Sequence, residues 1–351
     1  MACYHPLKGW KIGINPSGKP KYKITGYDVL KVINKNGIWM DAYKNIPSDI
    51  FFEQVNDFVE IPCGHCIGCQ LERSRQWADR CMLEAKYHTM NCFITLTFDE
   101  YHIKEQLEEV ILVNEDGELK SYFSLDKSVL QKFLKRLRKR LDNEYGLKVR
   151  YFACGEYGTH TARPHFHVIL FGYDFSDNRV LFKHNFRGDS LFVSPLLDDV
   201  WPFGNHLIAD CTWDTCAYVA RYCIKKSVSD DSLDLASIGL EPEFNTMSRR
   251  PGIARSYYDD HSGDIYRYQV IDIGDKDGAH HIRPPRYYDK LYDLDNPEDM
   301  QRIKSERMEN AILSKCDILM RTDKNYLDYL KVKEDNLIAK TKILKERSVG
   351  L

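Results

Sequence analysis

Val149-Arg150-Tyr151-Phe152-Ala153-Cys154 and His165-Phe166-His167-Val168-Ile169-Leu170-Phe171 are two β-prone runs, and the segment between them, Gly155 to Pro164, is rich in turn formers. This is the pattern of a β-hairpin. Alternate side chains on a strand share a face, so His165 and His167 point the same way with Cα atoms about 6–7 Å apart. Phe166, Val168 and Leu170 take the opposite, apolar face. Two neutral imidazoles on one face offer nitrogens to a single divalent ion and leave positions for water and phosphate oxygens. A lone strand histidine is ordinarily a satisfied core or surface residue; the pair favours a metal site. Glu156, at the start of the connection, is the natural third ligand, against the plainer reading of a solvent-facing turn glutamate. His160 competes from within the turn. An oxygen ligand suits Mg²⁺ or Mn²⁺, of which Mn²⁺ better tolerates two nitrogens.

Outward from the hairpin, Cys92-Phe93-Ile94-Thr95-Leu96-Thr97-Phe98 is a central-strand candidate. Before it, Leu71 to His88 carries Trp77, Ala78, Cys81, Met82 and Ala85 at helical spacing. Residues 1–62 mix short β-prone runs with turns, and Glu105 to Glu118 looks like an acidic insertion. Lys127 to Arg150 holds nine Lys or Arg against Asp142 and Glu144, with Leu130, Phe133, Leu134, Leu137 and Leu141 forming an apolar stripe. This predicts an amphipathic helix whose Lys135, Arg136, Arg138, Lys139 and Arg140 contact phosphate, against the commoner reading of a solvated face. Beyond Val228 the chain is polar with Pro and Gly punctuation, ending in two charged helical stretches after Pro297. The expected organisation is a segment over 1–70, a catalytic domain over 71–228 and a partly helical C-terminal extension over 229–351.

A further helix is expected from Trp213 to Lys226. Tyr218 and Tyr222 lie four residues apart, hence on one face about 6 Å from each other. Cys216, Val219, Ala220, Cys223 and Ile224 form the apolar stripe, which leaves Tyr218, Arg221, Tyr222, Lys225 and Lys226 on the other side. Tyrosines are usually amphipathic core-edge residues. Two phenols beside three cations instead fit attack on a phosphodiester, because the cations stabilise phosphate charge and ease phenol ionisation.

Cys63-Gly64-His65-Cys66-Ile67-Gly68-Cys69 has thiols in a C-x2-C-x2-C spacing with glycines for tight turns. A structural Zn²⁺ needs a fourth ligand, for which Cys3 and His5 are candidates; free buried thiols are the plainer reading. An iron–sulfur run would continue to a fourth cysteine followed by proline, which is missing. Gly13-Ile14-Asn15-Pro16-Ser17-Gly18-Lys19 has P-loop spacing, but Pro20 stands where the magnesium-binding hydroxyl belongs, so a turn is expected. With no nucleotide-driven motor, unwinding falls to a partner. The 351 residues carry a net charge of −2, so any nucleic-acid contact resides in patches, not in the total. Eleven cysteines without an apolar leader point to a reducing compartment, and no stretch is apolar enough for a membrane.

Together these strings resemble the two-tyrosine HUH endonuclease superfamily, and within it the replication initiation proteins of gokushovirus-type microviruses. The resemblance runs from about residue 62 to 288. It is carried by the cysteine cluster, the His165-Phe166-His167 and Tyr218–Tyr222 motifs, Met247-Ser248-Arg249-Arg250-Pro251-Gly252 and Arg283-Pro284-Pro285-Arg286-Tyr287-Tyr288. It implies an α+β fold, a central antiparallel sheet flanked by helices, with the Thr95–Thr97 strand beside the histidine strand and the phenols facing the metal. It also implies a rolling-circle initiator in which His165, His167 and Glu156 hold the ion and one tyrosine forms a 5′-phosphotyrosine. The second tyrosine then closes the circle. Arg221 stands where some relatives carry lysine, which keeps the charge but not a proton donor. The implied partners are the phage DNA origin and the host helicase and DNA polymerase, in the host bacterial cytoplasm. The rivals are a plasmid initiator or single-strand transposase of the same chemistry, or a non-catalytic zinc-bearing DNA-binding protein.

Overall fold

The computed structural model describes residues 3–16, 18–44, 53–113, 118–158, 161–221, 237–275 and 278–349. Two compact units result, one from residues 1–72 with 312–351 and one from 73–311.

In the larger unit seven strands form one sheet, in the spatial order Val180–His184, Ser190–Val193, His206–Asp210, Asn91–Thr97, Pro164–Phe171, Arg150–Tyr157, Phe244–Met247. All neighbouring pairs are antiparallel. The fold is therefore α+β, with the histidine strand in the interior of the sheet. Period-2 alternation splits its side chains between two cores. On one face Phe166, Val168 and Leu170 join Ile94 and Leu96 in a core with Leu130, Phe133 and Leu137 of helix Lys127–Tyr145. On the other, Phe152, Cys154, Ile169 and Phe171 pack with Ala78 and Cys81 of helix Ile67–Ala85 and with Cys216, Val219 and Ala220 of helix Trp213–Arg221.

The basic helix starts at Asp126, whose carboxylate accepts from Ser128 N at 2.7 Å, and stops at Gly146 in the left-handed region, φ 65°. It lies on the sheet face away from the histidines. Lys135, Arg138, Lys139 and Arg140 are exposed. Arg136 is half-buried and donates through Nε to Val200 O at 3.0 Å, while Arg140 pairs with Glu144 at 2.5 Å. Part of that cationic face thus serves the protein's own packing.

Several boundaries differ from the sequence reading. Glu156 is a strand residue, not the first of a turn, because pairing continues to Tyr157 opposite Pro164. Gly155 allows this: a Cβ there would come within 2.8 Å of the Phe244 ring. The acidic insertion contains the helix Glu100–Gln106 and a hairpin, Glu109–Val113 with Leu119–Phe123. The three consecutive segments give way to a different division: Phe244–Met247 supplies the sheet's last strand, and Tyr258, Ile265 and Tyr288 enter its core. Residues 312–351 group with the N-terminal unit instead.

Gly204 sets how closely the strand beside the histidines is approached. Its φ is 153°, and a Cβ would fall 2.4 Å from Thr97 O and 2.5 Å from Asp99 N. Both atoms are backbone and cannot swing aside. Gly204→Ala is expected to cost about 1–3 kcal/mol, read by chemical denaturation; an unchanged midpoint would contradict this reading of the turn.

The N-terminal unit has two three-stranded antiparallel sheets and a small core around Trp10, Val29 and Val32. The P-loop-like string is the turn between strands Leu7–Ile14 and Pro20–Thr25, closed by Asn15 N donating to Lys19 O at 2.7 Å. The charged C-terminal stretches are the helices Pro297–Met320 and Tyr326–Val349. No described helix is long and apolar enough to cross a membrane.

Candidate metal and tyrosine centre

Strand register builds the site. Glu156 sits directly opposite His165, and on the other side His165 and His167 face Thr97 and Thr95. One carboxylate oxygen, Glu156 Oε1, lies 2.5 Å from His165 Nε2, 2.8 Å from His167 Nε2 and 3.1 Å from the Tyr218 hydroxyl, which donates to it. Glu156 and His167 are buried and His165 is half-buried. Burial would raise the Glu156 carboxyl, but hydrogen bonds from His165 and His167 outweigh it and bring its pKa down to about 2.

The rings are held from behind. His165 Nδ1 donates to the Arg163 carbonyl at 3.0 Å, and His167 Nδ1 lies 3.0 Å from the Thr95 hydroxyl. Phe93 stacks on His167 with centroids 5.3 Å apart. Because a carbonyl only accepts, the proton of neutral His165 resides on Nδ1. Its Nε2 then meets an ionised carboxylate lone pair against lone pair, so a second proton or a cation belongs between them. Two nitrogens and an oxygen within 4.8 Å of one another suit a divalent cation. Among the candidate ligands, His160 lies outside the described residues.

Tyr218 is less solvent-facing than its helical position suggested. Its ring stands edge-on to His167 at 5.1 Å and to Phe93 at 6.3 Å. Burial, then the charge and hydrogen bond of Glu156, hold its phenol well above the ordinary range, while Arg221 acts in the opposite direction. Arg221 is exposed with its guanidinium carbon 5.9 Å from the Tyr218 ring centroid. The described helix ends at Arg221, so Tyr222, Lys225 and Lys226 lie outside the described residues. Sequence reasoning missed the Tyr218–Glu156 contact, which depends on how the helix packs on the sheet. It also missed the Arg163 carbonyl as a brace for His165.

In the N-terminal unit Cys3, Cys63, Cys66 and Cys69 converge, with sulfurs within 4.8 Å of one another. Cys63 Sγ is 4.0 Å from Cys69 Sγ, and Cys66 Sγ is 3.9 Å from Cys3 Sγ. Backbone N–H groups aim at them: Cys63 N at Cys3 Sγ, Cys66 N at Cys63 Sγ and Tyr4 N at Cys66 Sγ, each at 3.2–3.3 Å. Of the two candidates for fourth ligand, Cys3 is therefore present; His5 pairs with Glu334 at 2.6 Å. Burial pushes the Cys3 and Cys69 thiols up. It pushes on Cys66 too, but N–H groups of Tyr4 and Cys69 and the neighbouring thiols bring that one down to about 7.

A family model for the replication-associated protein ORF2 matches residues 91–227, the span holding both the histidine strand and the tyrosine helix. The replication-associated protein ORF2 of Spiroplasma virus 4 is 27% identical over 334 residues, 94% of this chain and 93% of the relative. The replication-associated protein VP4 of Bdellovibrio phage phiMH2K is 30% identical over 245 residues, 68% of this chain and 69% of the relative. The chain belongs to this family of phage replication-associated proteins. Another member, the replication-associated protein ORF4 of Chlamydia phage 1, is 30% identical over 206 residues, 58% of this chain and 47% of the relative. No solved structure matches the chain. Within the family-matched span, Glu156, His165, His167 and Tyr218 are the four side chains that share one point.

Proposed function

We propose that this chain is a metal-dependent single-stranded DNA endonuclease and ligase with the HUH fold, which starts rolling-circle replication of a phage genome. The observation that carries this is the convergence of the Tyr218 hydroxyl and the two histidine nitrogens on Glu156 Oε1. His165, His167 and Glu156 would hold Mg²⁺ or Mn²⁺. When bound, such an ion polarises a phosphate oxygen at the scissile bond.

The chain's own residues do the rest. The Tyr218 oxygen is oriented by its hydrogen bond to Glu156, and Arg221 favours its ionised form and the phosphate charge. Tyr218 or Tyr222 attacks phosphorus. The Oη–P bond forms as the P–O3′ bond breaks, the phenolic proton is lost, and the departing oxygen gains a proton to emerge as 3′-OH. The products are a 5′-phosphotyrosine and a primer end for host DNA polymerase behind host helicase, in the bacterial cytoplasm. The other tyrosine then cuts the regenerated origin, and the freed 3′-OH attacks the first linkage to close the displaced circle. Lys225 and Lys226 are proposed to add positive charge to this helix. A plasmid initiator or transposase would use the same chemistry, but the relatives are phage proteins. A non-catalytic DNA-binding protein leaves a buried Glu–His–His–Tyr convergence without purpose.

The test is covalent adduct formation on an origin-bearing single strand with Mn²⁺. Wild-type protein is expected to form the adduct, and the Tyr218→Phe, Tyr222→Phe double variant to form none detectable. Adduct at the wild-type level in that variant would refute the mechanism.

The four cysteines are proposed to hold a structural Zn²⁺. Tetrahedral Zn–S bonds of about 2.3 Å require sulfurs about 3.8 Å apart, close to the 4.0 and 3.9 Å separations already present.

A further inference from the structure

Two strings from the sequence, Met247–Gly252 and Arg283–Tyr288, have no part in the nicking chemistry, yet they meet in the fold. Residues 248–254 leave the sheet's edge strand and are pinned along their backbone. Ser248 N donates to Tyr151 O at 2.9 Å and Ser248 Oγ accepts from Tyr151 N at 3.1 Å. Arg150 Nη2 donates to Pro251 O at 2.8 Å, Arg80 Nη2 to Ile253 O at 2.9 Å and Tyr288 OH to Ala254 O at 2.7 Å. Ala254 N donates to the buried Glu84 carboxylate at 2.5 Å. Arg80 itself is sandwiched between the Trp77 and Tyr287 rings, at 4.1 and 4.0 Å. Tyr287 closes on the loop so tightly that a Cβ at Gly252 would fall 2.7 Å from its hydroxyl.

This scaffold displays cations. Arg249, Arg250 and Arg286 are exposed, and among the described residues no hydrogen bond or ion pair engages their guanidinium groups. That departs from the habit of this unit, in which Arg75 pairs with Asp79, Arg140 with Glu144 and Arg255 with Asp259. Arg138, from the exposed side of the basic helix, reaches the same loop, with Nη2 3.4 Å from Ser248 Oγ. Unpaired guanidinium groups on a backbone that is fixed in advance are suited to phosphate, since little order is lost on binding.

Resting on the DNA-nicking reading, we infer that Arg249, Arg250 and Arg286, with Arg138 beside them, form a second DNA contact that grips the phosphodiester backbone away from the cleaved bond. Phe152 pairs with Met247, and Glu156 is four residues further along the same strand. That is about 13 Å at 3.3 Å per residue, and the arginines lie beyond Met247. The contact is electrostatic and reads no base. Its task is to hold flanking DNA while the tyrosine centre cuts.

The experiment is equilibrium binding of full-length protein to a fluorescent oligonucleotide, single-stranded and duplex, across a salt series. Arg249→Ala, Arg250→Ala, Arg286→Ala combined is expected to weaken binding at low salt by at least about tenfold. It is also expected to flatten the slope of log K against log salt by about 2–3 on duplex, or about 2 on single strand. The larger change identifies the preferred form. A lysine triple is expected to recover most of the slope, and Arg267→Ala, an exposed charge elsewhere, to leave it unchanged. Equal affinity and slope for the alanine triple and wild type overturn the inference, as does a slope change in Arg267→Ala as large as in Arg249→Ala alone. Wild-type protein that forms the tyrosine adduct while the alanine triple binds normally refutes this contact and leaves the nicking reading intact. Salt-sensitive binding that depends on these arginines, without any adduct, does the reverse.

Discussion

His165→Gln, His167→Gln protein is expected to bind Mn²⁺ at least 100-fold more weakly than wild type and to form tyrosine adduct at least about 10³-fold more slowly. The affinity figure follows from losing two nitrogens of a three-residue donor set, since even the outer partners of such ligands are typically worth about 10–100-fold. The rate figure follows from the several kcal/mol that a Lewis acid contributes to phosphate charge in the transition state. Glutamine is chosen over alanine for a physical reason. Glu156 is 2% exposed and both of its histidine partners hydrogen-bond to it. Deleting both would strand a buried carboxylate, a change that costs about 3–5 kcal/mol and would confuse folding with function. An amide N–H keeps a donor within reach of the carboxylate while removing the metal-binding nitrogen. Calorimetric titration with Mn²⁺, with near-ultraviolet circular dichroism as the folding check, separates the two. A folded variant that retains wild-type Mn²⁺ affinity would end the metal assignment at these residues. Thr95→Val, which removes the hydroxyl 3.0 Å from His167 Nδ1, is expected to cost about 10–100-fold in the same titration.

The parts of this centre legible in the sequence are those set by local periodicity. His165 and His167 share a face because strand side chains alternate, and the apolar partners Phe166, Val168 and Leu170 mark the run as a strand before any pairing is known. Cys216, Val219 and Ala220 likewise fix which side of the tyrosine helix is buried. What the sequence leaves open depends on register between distant segments. Glu156 reads equally well as a turn residue until its pairing with His165 is seen. Tyr218 reads as a surface phenol until the helix seats it against His167. The edge strand Phe244–Met247 is only four residues long and mixes polar with apolar side chains, so period-2 patterning cannot find it. Its placement moves residues up to 311 into the catalytic unit, and the chain's division with it. The basic helix shows the converse. Its composition suggested one DNA-facing surface, but amphipathicity says which side faces a core and not which face of the sheet that core occupies.

Elemental analysis is expected to find one zinc per chain, lost in the Cys63→Ser, Cys66→Ser variant, with a large loss of local stability in the N-terminal unit. The core of that unit is small: Trp10, Val29 and Val32, with Ile12, Trp39 and Val55 partly buried around them. Short strands over so small a core bury too little apolar surface to offset chain entropy without a cross-link. The cysteines supply one of long span, since Cys3 is tied to Cys63 across 60 residues. Chemistry favours a metal over a disulfide or free thiols as the tie. Four sulfurs already stand near tetrahedral edge lengths. Only Cys66 is brought down toward neutral pH, to about 7, while burial keeps Cys3 and Cys69 protonated until a cation offsets the charge. Apparent zinc affinities of such sites are worth about 10–16 kcal/mol in small domains, so even a fraction of that exceeds the stability of a core this size. The readout is amide hydrogen exchange in the ladder between Leu7–Ile14 and Phe58–Ile61, which reports local opening. Protection there is expected to fall by at least about 100-fold, about 2.7 kcal/mol, in the serine variant and in chelator-treated wild type. Zinc-free wild-type protein with that ladder fully protected would show that packing alone holds the unit, and that the four thiols are a bystander cluster.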